Sequence, residues 1–484
     1  MHLLFNITGT FSVLILINMV LAFTLIFLEK RNPSSAWAWL MVLLFLPGIG
    51  FILYLLIGQN LSKSKMFQFK ADEDIMMRNL LDEQKNQLQN QTIHFDDLAL
   101  LDYRSMMRML LVNDYSYITQ DNSVEILTDG IQKFDSLIND IRNANDHIHM
   151  VYYIIKNDEL SKRIVHELTK KARKGVRVRF LYDALGGRTL TKNFFKDLRA
   201  AGGEVSVFFP SLLSLINPRI NYRNHRKIAI IDGLVGYIGG YNIGNEYVGS
   251  NKKFGYWRDT HLKLSGSSVY SLQIRFLLDW RYSTNTDLPI QDHFFPSHSG
   301  FGNKTIQIVS SGPDSKWEQI KNGYIALINS AKNTIYIQSP YFIPDDSVLE
   351  ALKIACLSGI DVRIMIPNLP DHPFVYWANR SYIWELLEAG ARAYEYTNGF
   401  LHAKTIVVDG KVCSVGTANW DVRSFKLNFE VNAFVYDSSV SKEMNSIFEE
   451  DCKLSNELFW EDYQNRSIRQ KLNESVSRLL SPIL

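Results

Sequence analysis

Two segments of the chain carry the same chemically active side chains at the same spacing. Each contains a histidine, a lysine two positions later, an aspartate five positions beyond the lysine, and an asparagine ten positions after that. The residues are His225, Lys227, Asp232 and Asn242 in the first segment, and His402, Lys404, Asp409 and Asn419 in the second. Every pair is separated by the same distance along the chain (402 − 225 = 177). This constant spacing indicates an internal duplication.

The spacing of histidine and lysine suits a β-strand, because residues two apart point to the same face of a strand. Two such faces brought together would present two imidazoles, two ammonium groups and two amides to one ligand. Lysine and amide donors neutralise phosphoryl oxygens as charge builds in a transition state. A neutral histidine can attack phosphorus, while a protonated one gives its proton to the departing alcohol. The paired segments therefore predict transfer of a phosphoryl-type group.

Either segment alone would carry little weight. An isolated histidine is usually a hydrogen-bonded polar residue, an isolated lysine is a solvated charge, and a glycine is an ordinary turn. We interpret Gly239-Gly240 and Gly416-Thr417 as turns that let the backbone and the nearby asparagine approach a ligand. Because the whole pattern occurs twice at one offset, it is improbable that these histidines, lysines and glycines have no role in catalysis.

Strand and helix patterns around these segments predict how they are positioned. Residues 148–153 favour a strand, residues 160–174 an amphipathic helix that ends before Gly175, and residues 176–182 another strand. The same order returns between residues 335 and 366, around Gly359. The expected fold is therefore α/β, with two duplicated domains in which helices cover a largely parallel sheet.

The predicted organisation has four parts. Residues 1–60 form two transmembrane helices, 61–123 a helical linker, 124–300 the first α/β domain and 301–484 the second. The boundary between the two domains is placed in a stretch rich in glycine, serine and asparagine near residue 300. Residues 455–484 end in an apolar set and predict a docked C-terminal helix.

Two long uncharged runs near the N-terminus predict the membrane spans. Residues 3–28 and 36–58 are dominated by apolar side chains, and the second run has Trp37, Trp39 and Tyr54 near its ends. A cleaved signal peptide fits poorly, because no lysine or arginine precedes the first run and a second run follows at once. We expect a multi-pass protein of the cell membrane, with its catalytic domains on the cytoplasmic side.

Composition excludes several classes of function. The formal net charge is only +2, so no strong basic field favours nucleic acid as a partner. The three cysteines, Cys356, Cys413 and Cys452, are scattered and contain no C-x-x-C pair. This arrangement argues against a disulfide framework and against a structural zinc site.

The pattern His-x-Lys-x4-Asp-x6-Gly-[Gly/Ser/Thr]-x-Asn, present twice, resembles the signature of the phospholipase D superfamily over residues 124–484. The resemblance implies two halves packed around a pseudo-twofold axis, with the active site between them and no metal or other cofactor. It also implies that His225 is the nucleophile and His402 the acid and then the base. Asp232 and Asp409 resemble structural supports in that superfamily. Asp259 and Glu430 resemble its carboxylates that hold each histidine in one tautomer, although ordinary surface carboxylates remain an alternative.

Four longer blocks, together with the N-terminal runs, resemble bacterial cardiolipin synthases over nearly the whole chain. The blocks are residues 221–227, 340–345, 399–404 and 419–425. The resemblance implies a phosphatidyltransferase that joins two phosphatidylglycerol molecules into cardiolipin and releases glycerol through a phosphohistidine. Its expected partners are phosphatidylglycerol and the lipid bilayer, without nucleic acid.

Three other functions stay open at this point. A membrane-tethered nuclease would need a basic, aromatic groove, which the nearly balanced charge disfavours. A hydrolytic phospholipase D would share the chemistry and use water to resolve the intermediate. A catalytically inactive lipid-binding protein would be expected to have lost part of a motif. Finally, the apolar residues 208–216 predict either a loop in the membrane interface or buried core.

Overall fold

The computed structural model describes residues 33–46, 81–90, 92–95, 97–210, 222–286, 291–297 and 302–481, and the single positions 19, 20, 23, 50 and 288. The chain divides into two compact units, one formed by residues 1–66 with 211–222 and the other by residues 67–210 with 223–484. The first unit contains helix α1, Pro33–Phe45. All other elements below belong to the second unit.

The predicted membrane spans fall largely outside the described residues. Only Met19, Val20 and Phe23 of the first run are described, and α1 covers the beginning of the second. Among the residues that are described, no helix combines the length and the apolar character needed to cross a bilayer.

Strands and helices alternate along the second unit. The strands of the first half are β1 Ile118–Leu127, β2 His147–Tyr152, β3 Arg177–Asp183, β4 Glu204–Phe208, β5 Arg223–Asn224, β6 Lys227–Ile231, β7 Val235–Gly239, β8 Trp257–Arg258 and β9 His261–Ser265. Those of the second half are β10 Lys304–Ser311, β11 Thr334–Gln338, β12 Phe342–Ile343, β13 Asp361–Pro367, β14 Arg392–Tyr396, β15 Phe400–Leu401, β16 Thr405–Val408, β17 Val412–Gly416, β18 Trp420–Asp421, β19 Asn428–Tyr436 and β20 Ser455–Leu458.

Most of the helices fall between these strands, whereas the first precedes β1 and the last two follow β20. They are α2 Arg104–Asp114, α3 Gly130–Asn143, α4 Glu159–Arg173, α5 Lys196–Ala200, α6 Ser268–Thr284, α7 Gln319–Ser330, α8 Asp346–Leu357, α9 Pro373–Glu388, α10 Val422–Lys426, α11 Ser438–Lys453, α12 Trp460–Gln464 and α13 Ile468–Leu479. Short 3-10 turns occupy Leu98–Tyr103, Asn245–Val248 and Asp292–Phe294.

The duplication is visible in the strand order of one continuous sheet. The first half follows the order β1-β9-β7-β6-β2-β3-β4, and the second half repeats it as β10-β19-β17-β16-β11-β13-β14, with β20 at its edge. The antiparallel pair of β1 and β10 joins the two halves. The predicted duplicated α/β fold is therefore confirmed.

The expectation of a largely parallel sheet is wrong. In the first half only β2 with β3 and β3 with β4 are parallel, and the ladders that join β2, β6, β7, β9 and β1 are antiparallel. The reason is local, because β6 and β7 form a tight hairpin at Asp232-Gly233, where both residues have positive φ. A three-residue connection, residues 232–234, reverses the chain and cannot join parallel neighbours.

Each half has a hydrophobic core of its own. Ile164 of α4 and Phe180 of β3 are fully buried in the first half, as are Leu352 of α8 and Ile364 of β13 in the second. Equivalent aspartates, Asp158 and Asp345, cap the helices α4 and α8 by accepting backbone N–H bonds.

The apolar stretch around residue 208 is core at the positions that are described. Phe208 and Phe209 are buried, and their rings pack near Tyr282 and Phe429. The interface-loop alternative is therefore wrong for these two phenylalanines. The rest of that stretch, residues 211–216, lies outside the described residues.

Candidate active site

A strand pair between the halves positions the first histidine. The two residues of β5 run parallel to the start of β19, with Arg223 opposite Asn428. The backbone N–H of His225 then donates to the carbonyl of Phe429 at 2.9 Å. This register places the next side chain, Glu430, against the imidazole, whose Nδ1 lies 2.9 and 3.0 Å from the two carboxylate oxygens.

The second histidine is positioned in the same way by the first half. The two residues of β15 pair in parallel with β8, and the backbone N–H of His402 donates to the carbonyl of Arg258 at 2.7 Å. Asp259, the next residue, accepts from Nδ1 of His402 with a separation of 2.7 Å. Each imidazole is thus oriented by a carboxylate from the opposite half. Neither half contains both members of either of these two pairs.

Both histidines line one cavity of about 530 Å³. Since Nδ1 of each ring faces its carboxylate, Nε2 is the ring nitrogen left to meet a ligand. Asn242 and Asn419 line the same cavity. Oδ1 of Asn242 accepts the backbone N–H of Ile154 at 3.0 Å, which leaves its amide NH₂ group as the donor for a ligand.

The two lysines are completely buried beside the histidines. Nζ of Lys227 donates to the carbonyl of His225 at 2.5 Å, and Nζ of Lys404 donates to the carbonyl of His402 at 2.6 Å. Burial lowers the pKa of Lys227 to about 7 and that of Lys404 to about 8, against the opposing effect of the nearby carboxylates. Because their charge is poorly solvated, both lysines are close to losing a proton near neutral pH.

Burial also lowers the pKa of both imidazoles, to about 4 for His225 and about 3 for His402. The lysine charges lower them further, whereas Glu430 and Asp259 act to raise them. Both rings are consequently neutral at physiological pH in the protein alone. An entering phosphodiester anion would favour the cationic forms of the lysines and of one histidine, because opposite charges attract strongly in a buried site.

The motif aspartates lie at the far end of their strands. Asp232 accepts three backbone N–H bonds from residues 145–147 at 2.8–3.0 Å. Asp409 accepts three from residues 332–334 at 2.7–2.9 Å. Each aspartate lies seven positions after its histidine along nearly extended chain, a distance of roughly 20 Å. These carboxylates anchor the starts of β2 and β11, away from the cavity.

Gly240 has a role that the sequence did not indicate. A Cβ on Gly240 would lie 2.0 Å from Oδ1 of Asp259, so the absent side chain makes room for this carboxylate. At the equivalent position Thr417 places its hydroxyl 2.6 Å from Oε2 of the longer Glu430 and donates to it. The turn therefore seats the carboxylates that support the histidines.

Two buried ion pairs near the motifs were missed from sequence. Arg226 pairs with Asp279 of α6, and its Nε donates to the carbonyl of Glu430 at 3.1 Å. Arg258 pairs with Asp451 of α11 at 2.8 Å. Both arginines adjoin site residues in sequence, but their aspartate partners lie on distant helices, so no local spacing indicated the pairs.

The cavity lacks the symmetry of its catalytic motifs. Arg223 and Arg423 line it together with Tyr153, whose ring packs edge-on against His225 at 4.9 Å. The position equivalent to Arg423 is Glu246 (423 − 246 = 177), which pairs with Lys156 at 2.5 Å. At this pair of equivalent positions, one half therefore offers a guanidinium group to the cavity and the other half a carboxylate.

Among the residues described, no group of three or more His, Cys, Asp or Glu side chains is arranged to hold a metal ion.

Two equivalent halves, each contributing a His–Lys motif to a shared cavity, define a phospholipase D-like protein. A family model described as cardiolipin synthase, phospholipase D-like domain, matches residues 137–257 and 324–452, one match in each half. The crystal structure of phosphatidylserine synthase from Haemophilus influenzae Rd KW20 superposes with a TM-score of 0.61, covering 78% of this chain and 100% of that chain. At 15% identity this likeness shows the shared fold alone.

Relatives that are similar over the full length of the chain identify its family among the phospholipase D-like proteins. The major cardiolipin synthase of Bacillus subtilis (strain 168) is 55% identical over 475 residues, covering 98% of both chains. A cardiolipin synthase of Listeria monocytogenes serotype 4a is 54% identical over 473 residues, again covering 98% of both. A model described as phospholipase D-nuclease N-terminal matches residues 16–59. The chain belongs to the cardiolipin synthase family of phosphatidyltransferases.

Proposed function

We propose that this protein joins two phosphatidylglycerol molecules into cardiolipin and glycerol through a phosphatidyl-histidine. The observation that carries the proposal is the reciprocal pair of histidines, each oriented through Nδ1 by a carboxylate of the other half and each lining one cavity. Two imidazoles held in this way can serve as nucleophile and as proton carrier on one phosphorus atom.

In the first step Nε2 of neutral His225 attacks the phosphorus of one phosphatidylglycerol. The bond from phosphorus to the headgroup oxygen breaks, and His402, protonated when the anion is bound, gives its proton to the departing glycerol. In the second step His402 takes a proton from a headgroup hydroxyl of the second phosphatidylglycerol. The resulting oxygen attacks phosphorus, and the phosphorus–nitrogen bond breaks. Atoms and charges balance without a nucleotide or a redox partner.

Lys227 and Lys404 would stabilise the transition state of both steps. Their buried ammonium groups lie beside the two histidines, where charge builds on the phosphoryl oxygens. Preorganised charges in a site sheltered from water act more strongly than the same charges in solution. Asn242 and Asn419 would donate amide hydrogen bonds to the same oxygens.

The acceptor lipid brings a second phosphate, and we infer that the arginine-rich part of the cavity receives it. Arg223 and Arg423 line the cavity near His225, whereas the position equivalent to Arg423 in the first half is the acidic Glu246. Guanidinium groups suit a phosphodiester because their fixed donors match its oxygens. This asymmetry would assign donor and acceptor to different parts of a nearly symmetric site.

We further propose that the uncharged runs 3–28 and 36–58 span the cell membrane, with the catalytic halves on its cytoplasmic side. Support comes from their composition and from the N-terminal family match over residues 16–59. Such an anchor would keep the site close to lipids that leave the bilayer only slowly.

The first test places the purified full chain in vesicles whose only anionic lipid is phosphatidylglycerol, with products followed by mass spectrometry. We expect cardiolipin and glycerol in equal amounts, and neither with His402→Ala. Phosphatidic acid without cardiolipin would show that water resolves the intermediate, and the proposal would give way to a hydrolytic phospholipase D.

The nucleophile is tested separately with headgroup-labelled and acyl-labelled phosphatidylglycerol. We expect His225→Ala to form no covalent lipid adduct, because no other imidazole is held by Glu430 among the described residues. His402→Ala should release no glycerol from phosphatidylglycerol, yet it should still form a trace of adduct when a lipid with a better leaving group than glycerol is supplied. An adduct that persists in His225→Ala would contradict the assignment.

The acceptor position is tested with Arg423→Gln. We expect glycerol release in the first turnover to be nearly unchanged, whereas the ratio of cardiolipin to phosphatidic acid falls by about tenfold or more, as expected for loss of a charged hydrogen bond. Glu246→Gln, at the equivalent position, is the matched control and should leave the ratio unchanged. An unaltered ratio in Arg423→Gln would place the acceptor phosphate elsewhere.

A further inference from the structure

The C-terminal helix α13 is turned with its apolar side outwards. Its buried residues are Glu474 and Ser477. Its aliphatic side chains are solvent-exposed instead, with 86% of Ile468, 62% of Leu472, 45% of Val476 and 82% of Leu479 accessible. An amphipathic helix of a soluble domain normally has the opposite orientation.

Polar contacts hold α13 in this orientation. Glu474 accepts the indole N–H of Trp384 in α9 at 3.1 Å and pairs with Arg466 at 3.0 Å. Arg478 pairs with Glu385, and its guanidinium lies 4.6 Å from the ring centre of Tyr382. Since the pairs at Glu474 and Arg478 lie one turn apart on the helix, they fix its rotation about its own axis.

The exposed aliphatic residues form one continuous stripe. They are spaced by four, four and three positions, and at about 100° per residue they fall within roughly 80° of one another around the helix. Arg469 and Lys471 are exposed and flank the stripe, one on each side. An apolar stripe bordered by cations is the pattern of helices that lie in the plane of an anionic membrane surface.

We propose that α13 lies in the interface of a bilayer containing anionic phospholipid, with this stripe (Ile468, Leu472, Val476 and Leu479) among the upper acyl chains. The bordering cations select this occupant, because Arg469 and Lys471 would face lipid phosphates. In a symmetric contact with a second copy the same cations would meet each other. The inference rests on the proposed function only for the choice of phosphatidylglycerol as the anionic lipid, and its test does not require turnover.

The helix can be tested with a spin label on the full chain in lipid nanodiscs. The label is attached at Val476→Cys, in a Cys452→Ser background because the other cysteines, Cys356 and Cys413, are buried. Glu450→Cys, whose native side chain is 69% exposed on α11, provides the control position. In nanodiscs with phosphatidylglycerol we expect the label at residue 476 to collide with oxygen more than with a water-soluble nickel complex. The label at residue 450 should show the reverse.

Two further variants separate membrane contact from other causes. Adding Leu472→Ser and Leu479→Ser should move the label at residue 476 into water, whereas Leu472→Ile and Leu479→Ile should keep it in lipid. Replacing phosphatidylglycerol with phosphatidylcholine should reduce the immersion by severalfold. A water-exposed label in all discs would overturn the proposal. So would shielding that persists without lipid and is accompanied by spin–spin broadening, because that result indicates a second copy.

Discussion

At the scale of single residues, the two supporting carboxylates differ in how they are held. Glu430 accepts from Thr417 and from Asn428, at 2.6 and 3.2 Å, in addition to His225. Asp259 accepts from His402 and from the backbone N–H of Thr260 at 2.7 Å. Burial acts to raise the pKa of Glu430, but His225, Lys227 and Thr417 together hold that pKa below its usual range. Glu430 therefore remains an anion that fixes the tautomer of its histidine.

Because Glu430 orients His225 and Asp259 orients His402, we predict that the two carboxylates act on different steps of the reaction. Glu430→Gln should slow formation of the phosphatidyl-enzyme, because His225 loses the group that orients it as nucleophile. Asp259→Asn should mainly slow proton transfer, since it acts through His402. A loss of roughly 10²–10⁴-fold in turnover is typical when such a group is replaced by its amide. Rapid-quench measurement of adduct and glycerol with a good and a poor leaving group distinguishes the two steps.

The expected pattern is specific. A good leaving group needs little proton donation, so it should restore the adduct rate of Asp259→Asn but leave Glu430→Gln slow. Glu246→Gln serves as a control, because that carboxylate lines the cavity and pairs with Lys156, away from the two carboxylates that hold the histidines. Equal rescue of both variants would mean that the carboxylates do not have separate roles.

Most residues of the candidate site could be predicted from the sequence, but the contacts between them could not all be predicted. Both histidines, both asparagines and both lysines meet at one place, as the repeated spacing indicated. The resemblance indicated Asp259 and Glu430 as the orienting carboxylates, but it did not indicate which histidine each one holds, because Glu430 reaches His225 only through the pairing of β5 with β19. Strand pairing between distant segments leaves no local trace in the spacing of residues.

At the scale of elements, the turn after β7 controls a catalytic distance. Gly240 has no left-handed φ, so an alanine there would suffer no backbone strain, only a contact between Cβ and the carboxylate of Asp259 at 2.0 Å. The carboxylate would have to rotate away, and His402 would lose its orienting partner. We predict that Gly240→Ala lowers turnover by at least about 100-fold, comparable with loss of the orienting group itself. The melting temperature should change little.

Gly175 is the matched control, where substitution should lower stability and leave turnover unchanged. Its φ is +89°, and a Cβ added there would have no atom within 4 Å, at a helix end remote from the motifs. Gly175→Ala should therefore destabilise the fold by about 1 kcal/mol, owing to the left-handed backbone, and leave turnover unchanged. Thermal unfolding and the vesicle assay on both variants decide the matter. Full activity in Gly240→Ala would show that Asp259 can be moved without consequence.

At the scale of the whole second unit, the duplication gives each half one part of the active site. The site is complete only when the two halves are together. The sequence repeat predicted two α/β halves, but it could not predict that β1 and β10 join them in one sheet. Nor could it predict that equivalent positions diverge around the cavity, where Arg423 corresponds to Glu246 by the repeat offset. Repeated catalytic motifs within a cavity whose other lining residues differ suit a reaction in which one lipid is the donor and a similar lipid is the acceptor.

The same burial that assembles the site should make the protein sensitive to acid. Burial lowers the pKa of five described histidines, which are His147, His149, His225, His261 and His402. Since the folded pKa lies below the unfolded value of about 6.5, the unfolded chain takes up protons first as the pH falls. The contribution of these neutral histidines to the free energy of unfolding is complete above about pH 6.5. Below that pH it declines, by up to about 1.4 kcal/mol per pH unit for each histidine.

Buried carboxylates oppose this trend without cancelling it. Burial raises the pKa of Asp183, of Glu395 and of Asp421, the last to about 6, so these groups favour the folded state as the pH falls. Burial lowers the pKa of Lys133 and Lys227 as well, so these lysines act in the same direction as the five histidines against the three carboxylates. We therefore predict that the melting temperature drops by several degrees between pH 7.5 and pH 5. His149→Gln keeps a polar side chain beside Gln273 and Arg179 but cannot titrate. Its melting temperature should start lower at pH 7.5 and fall less steeply, whereas a slope equal to that of the parent would mean that buried imidazoles do not set the acid limit.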